Sequence, residues 1–312
     1  MSANLTAFLF PGQGSQAAGM GKGLYDAYPA ARQVFEKADD ILGFALSRLC
    51  FEGPDDQLKL TENTQPALLA VSVAALQVLR HYGLKPDYVA GHSLGEYSAL
   101  VAAGSLDFGD ALRLVRKRGR YMQAAVPAGV GAMAALLKVP EGKLDGVLQQ
   151  AAQGEVVSAA NLNSTDQVVI AGHAAAVTRA MDLAKAAGAK RAVALPVSAP
   201  FHCVLMAPAQ ERLRADLDAT EFRDLICPLV NNWQAREIRT GAEAREGLYH
   251  QVPNTVHWAE SIRVLAARGV KHCVEVGAGT VLTGLLRNID ASLTGMKFGE
   301  PGDLDKLAVA AR

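Results

Sequence analysis

Two patterns predict an α/β fold built from two units. The first is an apolar run at 88–90 that leads into Gly91-His92-Ser93-Leu94-Gly95, followed by a helix-forming run at 96–103. Strand, Gly-x-Ser-x-Gly turn and helix in that order make a nucleophile elbow, which α/β-hydrolase-like folds use to lift a serine above the ends of a mostly parallel sheet. The second is the stretch 132–197, which alternates as strand, helix, strand, strand, helix, strand between Pro127 and Pro200. That βαββαβ order is the ferredoxin-like one. The expected architecture is a large α/β-hydrolase-like unit over residues 1–127 and 199–312, with a ferredoxin-like domain inserted at 128–198.

Each element has a local reason. The apolar run 7–10, closed by Pro11-Gly12, reads as a short buried strand. Residues 22–50 read as helices with breaks near Pro29 and Gly43. Pro66 is expected to open a long apolar helix over 67–82, since proline is favoured at the first helical position. Residues 107–125 are amphipathic and carry Arg113, Arg116, Lys117, Arg118 and Arg120. In the inserted unit, strands are expected at 132–139, 156–161, 167–171 and 191–197, with helices at 141–153 and 174–187 and a hairpin turn around 163–166. After Pro200, helices are expected at 206–219 and 258–268, and buried strands at 228–232 and 272–276. Strands alternating with helices imply a sheet covered on both faces.

Composition narrows the function. Half of the 312 residues are hydrophobic and a fifth are charged, so a large core is available. Thirty-one basic residues match 31 acidic ones, which gives no general attraction to nucleic acid or an anionic membrane. Cys50, Cys203, Cys227 and Cys273 are widely spaced, without a C-x-x-C pair or a zinc-like Cys/His set, so free thiols and no metal are expected. The first residues lack a signal-peptide pattern and no apolar run is long enough to span a bilayer, so a cytoplasmic location is expected.

A serine nucleophile needs a base, an oxyanion site and a way to orient the base. Of seven histidines, His202 stands out because Pro196 to His202 forms the junction between the two expected units, where pockets form. A plain loop histidine is the competing reading. No Asp or Glu is singled out as its partner: Asp107, Asp110 and Asp145 each stand where a helix begins and read as caps. A neutral carbonyl could orient the base instead. The N–H of Leu94, next after Ser93, is the first expected oxyanion donor. A second should come from another strand-end loop. The Gly-rich run at 11–16 is such a loop, and it matches neither a P-loop nor a G-x-G-x-x-G fingerprint.

The sequence resembles the malonyl-CoA:acyl carrier protein transacylases of bacterial type II fatty acid synthesis. The resemblance rests on 10–16 (Phe-Pro-Gly-Gln-Gly-Ser-Gln), 64–68 (Thr-Gln-Pro-Ala-Leu), 91–97 (Gly-His-Ser-Leu-Gly-Glu-Tyr), Arg118-Gly119 with Met122, and 131–135. It continues through Asn161 with 167–173, Pro200-Phe201-His202 and Glu275-Val276-Gly277. Ala278, Thr280 and 255–257 depart from the family pattern.

The resemblance implies roles. Ser93 would carry the acyl ester and His202 would be the base. Gln251 would orient that base through its carbonyl, and the N–H groups of Gln13 and Leu94 would form the oxyanion hole. Arg118 would bind the malonyl carboxylate, a task that suits a forked guanidinium. By pattern alone it is one helix cation among several. Phe201 would crowd a 2-methyl group and favour malonyl over methylmalonyl. The implied reaction is ping-pong transfer from malonyl-CoA to the phosphopantetheine thiol of holo acyl carrier protein, with no bound cofactor; a monomer is expected, though no residue pattern fixes the oligomeric state. A trans-acting acyltransferase of a polyketide pathway and a serine thioesterase or hydrolase are the alternatives.

Overall fold

The computed structural model describes residues 5–197 and 199–310. Residues 1–4 and Ser198, the expected last residue of the inserted unit, lie outside the described residues. The chain opens with β1 (Leu5–Phe10) and passes through α1 (Lys22–Ala27), α2 (Pro29–Leu42), α3 (Leu46–Glu52), α4 (Asp55–Leu58) and α5 (Thr61–His81). Next, β2 (Tyr88–Gly91) turns into α6 (Gly95–Ala102), followed by α7 (Phe108–Ala124). The middle of the chain is β3 (Gly131–Leu137), α8 (Leu144–Ala152), β4 (Val157–Ser164), β5 (Gln167–His173), α9 (Ala174–Ala186) and β6 (Arg191–Ala194). The return consists of α10 (Ala207–Asp218), β7 (Leu229–Val230), β8 (Glu237–Ile238), α11 (Gly241–Gln251) and α12 (Trp258–Ala267). It closes with β9 (Val270–Val276), α13 (Val281–Leu286), β10 (Thr294–Phe298) and α14 (Leu304–Ala310).

Six strands form one sheet in the order β10-β9-β1-β2-β7-β8. All neighbours are parallel except β7 and β8, which pair antiparallel. Side chains alternate along a strand, so β1 divides its residues between two cores. Phe8 and Phe10 enter the larger core with α5 and α6. Ala7 and Leu9 enter the smaller one with Trp258 and Ile262 of α12. A sheet buried on both faces accounts for the near-continuous apolar run at 7–10.

The other four strands form an antiparallel sheet in the order β4-β5-β3-β6. Ala134, Leu136 and Ile170 pack under α8 and α9. Met133, Ala135, Val169 and Ala171 face the other way and join the larger core. The second sheet is therefore a wall laid against the first unit.

Three local expectations change. Helix α5 begins at Thr61, so Pro66 lies inside it rather than opening it. Close packing carries the first turn: a Cβ at Gly119 of α7 would stand 2.7 Å from Thr61 O, so the two helices touch backbone to backbone there. Proline in the second turn removes only one early N–H. Strand β6 stops at Ala194 because Pro196 has no N–H to donate to a ladder. The segment 241–251, where no element is expected, is a helix with a full Thr240/Glu243 capping box. No helix among the described residues is long and apolar enough to cross a membrane.

Candidate active site

The carboxyl ends of the parallel strands converge on one cleft. Gln13 follows β1, Ser93 follows β2 and Asn232 follows β7. Open α/β sheets collect ligand-binding groups at these ends because the chain there is free of ladder pairing. The cleft encloses about 160 Å³, and Met133 and Val169 of the second sheet form its opposite wall.

The elbow is held by contacts that only glycine permits. A Cβ on Gly91 would lie 2.0 Å from the Gly95 carbonyl carbon, and one on Gly95 would lie 2.0 Å from Phe10 O. Between them Ser93 takes φ 51°, in the left-handed region that costs a non-glycine residue energy. The turn points Ser93 Oγ into the cleft, 2.7 Å from His202 Nε2. His202 also has positive φ, at 59°.

His202 is buried, and its Nδ1 lies 3.0 Å from the backbone carbonyl of Gln251. A carbonyl only accepts, so Nδ1 carries the proton and donates it. Nε2 is then left with its lone pair toward Ser93. Burial, and next the positive charge of Arg118, lower the His202 pKa to about 3. The ring is thus neutral at physiological pH and able to accept a proton. No carboxylate is needed to set this tautomer.

Arg118 is 1 % exposed. Its Nη1 donates to Gln65 Oε1 at 2.9 Å, and its Nη2 donates to Gln251 Oε1 at 2.9 Å and to Ser93 Oγ at 3.1 Å. The guanidinium also stands 5.7 Å from the centroid of the Tyr97 ring. Among the described residues no carboxylate lies within 4.0 Å of it, and its Nε has no partner. A buried cation with no carboxylate in contact is costly, because neutral amides, and the Glu96 charge acting from beyond contact, offset desolvation only in part. The neighbouring cations differ: Lys117 pairs with Asp216, and Arg120 pairs with Glu62 at 2.7 Å, both near the surface.

The acyl transferase domain family matches residues 7–296. The chain is 48% identical to the malonyl CoA-acyl carrier protein transacylase of Escherichia coli O157:H7 over 95% of this chain and 96% of that protein. The chain belongs to the malonyl CoA-acyl carrier protein transacylase family. A crystal structure of an acyl carrier protein S-malonyltransferase from Vibrio cholerae O1 superposes with a TM-score of 0.94 at 46% identity, covering 97% of this chain and 99% of that one. A malonyl-transacylase in complex with its type II PKS acyl-carrier protein superposes with a TM-score of 0.95 at 44% identity, covering 97% and 98%.

Membership in this transacylase family makes the chain an acyltransferase, and the cleft contains groups the sequence did not single out for it. Gln65 holds Arg118 from α5. His92 Nε2 lies 2.8 Å from Asn163 Oδ1, a bond that joins the elbow to β4. Asn232 and Glu96 are buried beneath the serine. Gln65, His92 and Glu96 lie within stretches that carry the family resemblance, but no spacing assigns them a role, and Asn232 has no local signal at all. Helix α11, which places Gln251, did have one: Thr240 and Glu243 stand three apart, as a capping box requires. Phe201 lines the cleft beside His202, and Gln13 and Leu94 border it. No cluster of His, Cys, Asp and Glu that could hold a metal occurs among the described residues.

Proposed function

We propose that this acyltransferase moves a malonyl group from malonyl-CoA to the phosphopantetheine thiol of holo acyl carrier protein through an ester on Ser93, supplying malonyl units for fatty acid synthesis. The observation that carries the substrate is Arg118, a buried cation with no carboxylate partner, bonded to the nucleophile itself. A free carboxylate on the acyl group would complete it with a charge-assisted, forked pair. The names of the relatives point to the same substrate.

Ser93 Oγ attacks the thioester carbonyl as His202 Nε2 takes its proton. The carbonyl oxygen becomes an oxyanion. The N–H groups of Gln13 and Leu94 border the cleft and have no acceptor among the described residues, which fits them to receive it. The C–S bond breaks and the CoA sulfur leaves with the proton from His202. The second half runs in reverse: His202 takes the proton of the carrier thiol, the sulfur attacks the ester, and Ser93 recovers its hydrogen. Arg118 holds the far carboxylate throughout and so fixes the reacting carbonyl. Phe201, 7 % exposed at the cleft, leaves little room for a 2-methyl branch.

The large unit reads as α/β-hydrolase-like and residues 128–198 as a ferredoxin-like insertion; the strand order β4-β5-β3-β6 supports the latter. We read the enzyme as a cytoplasmic monomer. A second reading, service to a polyketide carrier protein, draws on the solved relative bound to such a partner and uses identical chemistry. Peptide mapping by mass spectrometry tests the proposal. Malonyl-CoA should add a malonyl mass to Ser93, and holo acyl carrier protein should remove it to itself. Label on a cysteine, or loss to water as fast as to the carrier, would reject it.

A further inference from the structure

Beneath the elbow lies a buried polar network, two of whose members, Asn232 and Glu96, have no part in the reaction just described. Asn232 is fully buried and clamps the elbow from both sides. Its Oδ1 accepts from Ser93 N at 2.6 Å, and its Nδ2 donates to Gly91 O at 2.7 Å. Asn232 is held in turn by Glu96, whose Oε2 accepts from Asn232 N at 3.0 Å. The same oxygen accepts from Gln251 Nε2 at 2.8 Å. Gln251 Nε2 also reaches Ser93 O at 3.0 Å, while Gln251 Oε1 receives Arg118. The backbone carbonyl of Gln251 holds His202.

We propose that Glu96 is a positioning residue: one oxygen, Oε2, ties the strained serine, the histidine and the guanidinium into a single fixed unit through Asn232 and Gln251. The inference rests on the reading of Ser93, His202 and Arg118 given above. Three features single out Glu96. It is 1 % exposed, and a buried carboxylate costs stability. It has no ion pair within 4.0 Å among the described residues; the Arg118 charge reaches it only from beyond contact, after burial and its two hydrogen bonds. Its Oε1 has no partner, so both of its protein hydrogen bonds fall on the oxygen that links Asn232 to Gln251. Ser93 at positive φ cannot hold its angle without such support, since a strained backbone persists only where its surroundings overdetermine it.

What Glu96 supplies is an acceptor at a set reach. Glutamine keeps that acceptor and places its amide nitrogen where Oε1 has no partner. Aspartate keeps the carboxyl group and withdraws the oxygen by one methylene. The experiment compares Glu96→Gln and Glu96→Asp in the full chain, with Glu96→Ala as a third variant. Active sites are counted by the amount of enzyme that malonyl-CoA esterifies at Ser93 on prolonged exposure, and rates of both half-reactions are expressed per counted site. This normalisation removes loss through poor folding. Glu96→Gln should stay within about threefold of the parent. Glu96→Asp should lose kcat toward the roughly 100-fold that a 1 Å misplacement costs, with KM for malonyl-CoA little changed. Glu96→Ala should be no faster than Glu96→Asp. A per-site rate for Glu96→Asp equal to or above that of Glu96→Gln would overturn the proposal. Failure of the parent enzyme to form the Ser93 ester would instead reject the reading on which it rests.

Discussion

At the carboxyl ends of β1 and β2 the cleft meets Gln13 and Ser93, with Asn232 of the β7 end buried beneath, whereas from β3 and β5 it meets Met133 and Val169. The parallel edge is polar, and beneath it lies a chain of short hydrogen bonds. The antiparallel wall is largely apolar, with Asn161 and Asn163 of β4 as its polar exceptions. The difference follows from how each sheet ends. Parallel strands must leave the sheet through separate crossovers, so several unpaired chain ends meet at one edge. Antiparallel strands turn back through hairpins such as the one between Ser164 and Gln167 and present a face, not a set of ends. Chemistry is therefore expected from the first sheet and fit from the second.

The strongest test of that division is removal of the proposed base. His202→Ala should slow both half-reactions by ~100- to 10,000-fold, the usual worth of a general base, as measured by single-turnover transfer. A variant that transfers normally would move the chemistry elsewhere. Next is Arg118→Ala. With charged hydrogen bonds worth about 1.5–3 kcal/mol each, malonyl transfer should fall by roughly 10- to 150-fold for each bond lost. Acetyl transfer should be spared, because it has no carboxylate to lose. Arg118→Lys should rescue only in part, since a point charge cannot fork. Equal loss for both acyl groups would make Arg118 a structural residue.

The electrostatics of the polar edge can be tested in the resting enzyme. Burial and Arg118 lower the His202 pKa to about 3, so its ring should remain neutral from pH 8 down to pH 5. An unburied histidine would gain a proton over that range, at about 6.5. NMR of ring-labelled protein reads this directly, and a midpoint near 6.5 would show that the cleft is wetter than its packing implies.

On the apolar wall, Val169→Ala should raise KM by no more than about fourfold for each buried methylene lost, at ~0.8 kcal/mol each, and leave kcat unchanged. A fall in kcat instead would mean that the wall takes part in positioning. Smallest of all, Lys117→Ala and Arg120→Ala should shift steady-state rates by less than about twofold. Their ion pairs are near the surface, where such pairs are worth roughly 0–1 kcal/mol.

Much of this site could be read in the chain because steric need leaves local marks. Gly91 and Gly95 bracket Ser93 since any side chain there would strike backbone, and that need is visible as Gly-x-Ser-x-Gly. Of the three aspartates read as caps, Asp107 is one, accepting from Gly109 N at 2.7 Å, whereas Asp110 and Asp145 fall inside the first turns of α7 and α8. The apolar run at 7–10 and the alternation within 132–197 foretell the two sheets because burial imposes its period on sequence. Pro66 misleads because its local preference is overridden by backbone contact with Gly119, a residue more than fifty positions away.

By itself, then, the sequence determined the elbow, the mixture of strands and helices, and the position of a histidine just after the last strand of the second sheet. It could not determine what lies beneath the elbow. Asn232, Gln251 and Glu96 are unremarkable in their own segments, and no spacing relates them. They meet only because β2, β7 and α11 end at the same edge, and their hydrogen bonds, 2.6–3.3 Å long, exist only at that meeting. The same holds for Arg118. On its helix it is one cation among five, and only the packing of α7 against α5 buries this one beside Ser93 while its neighbours stay near water. Local sterics are written in neighbouring residues, but desolvation and converging polar groups depend on distances between remote ones, which the tertiary fold alone sets.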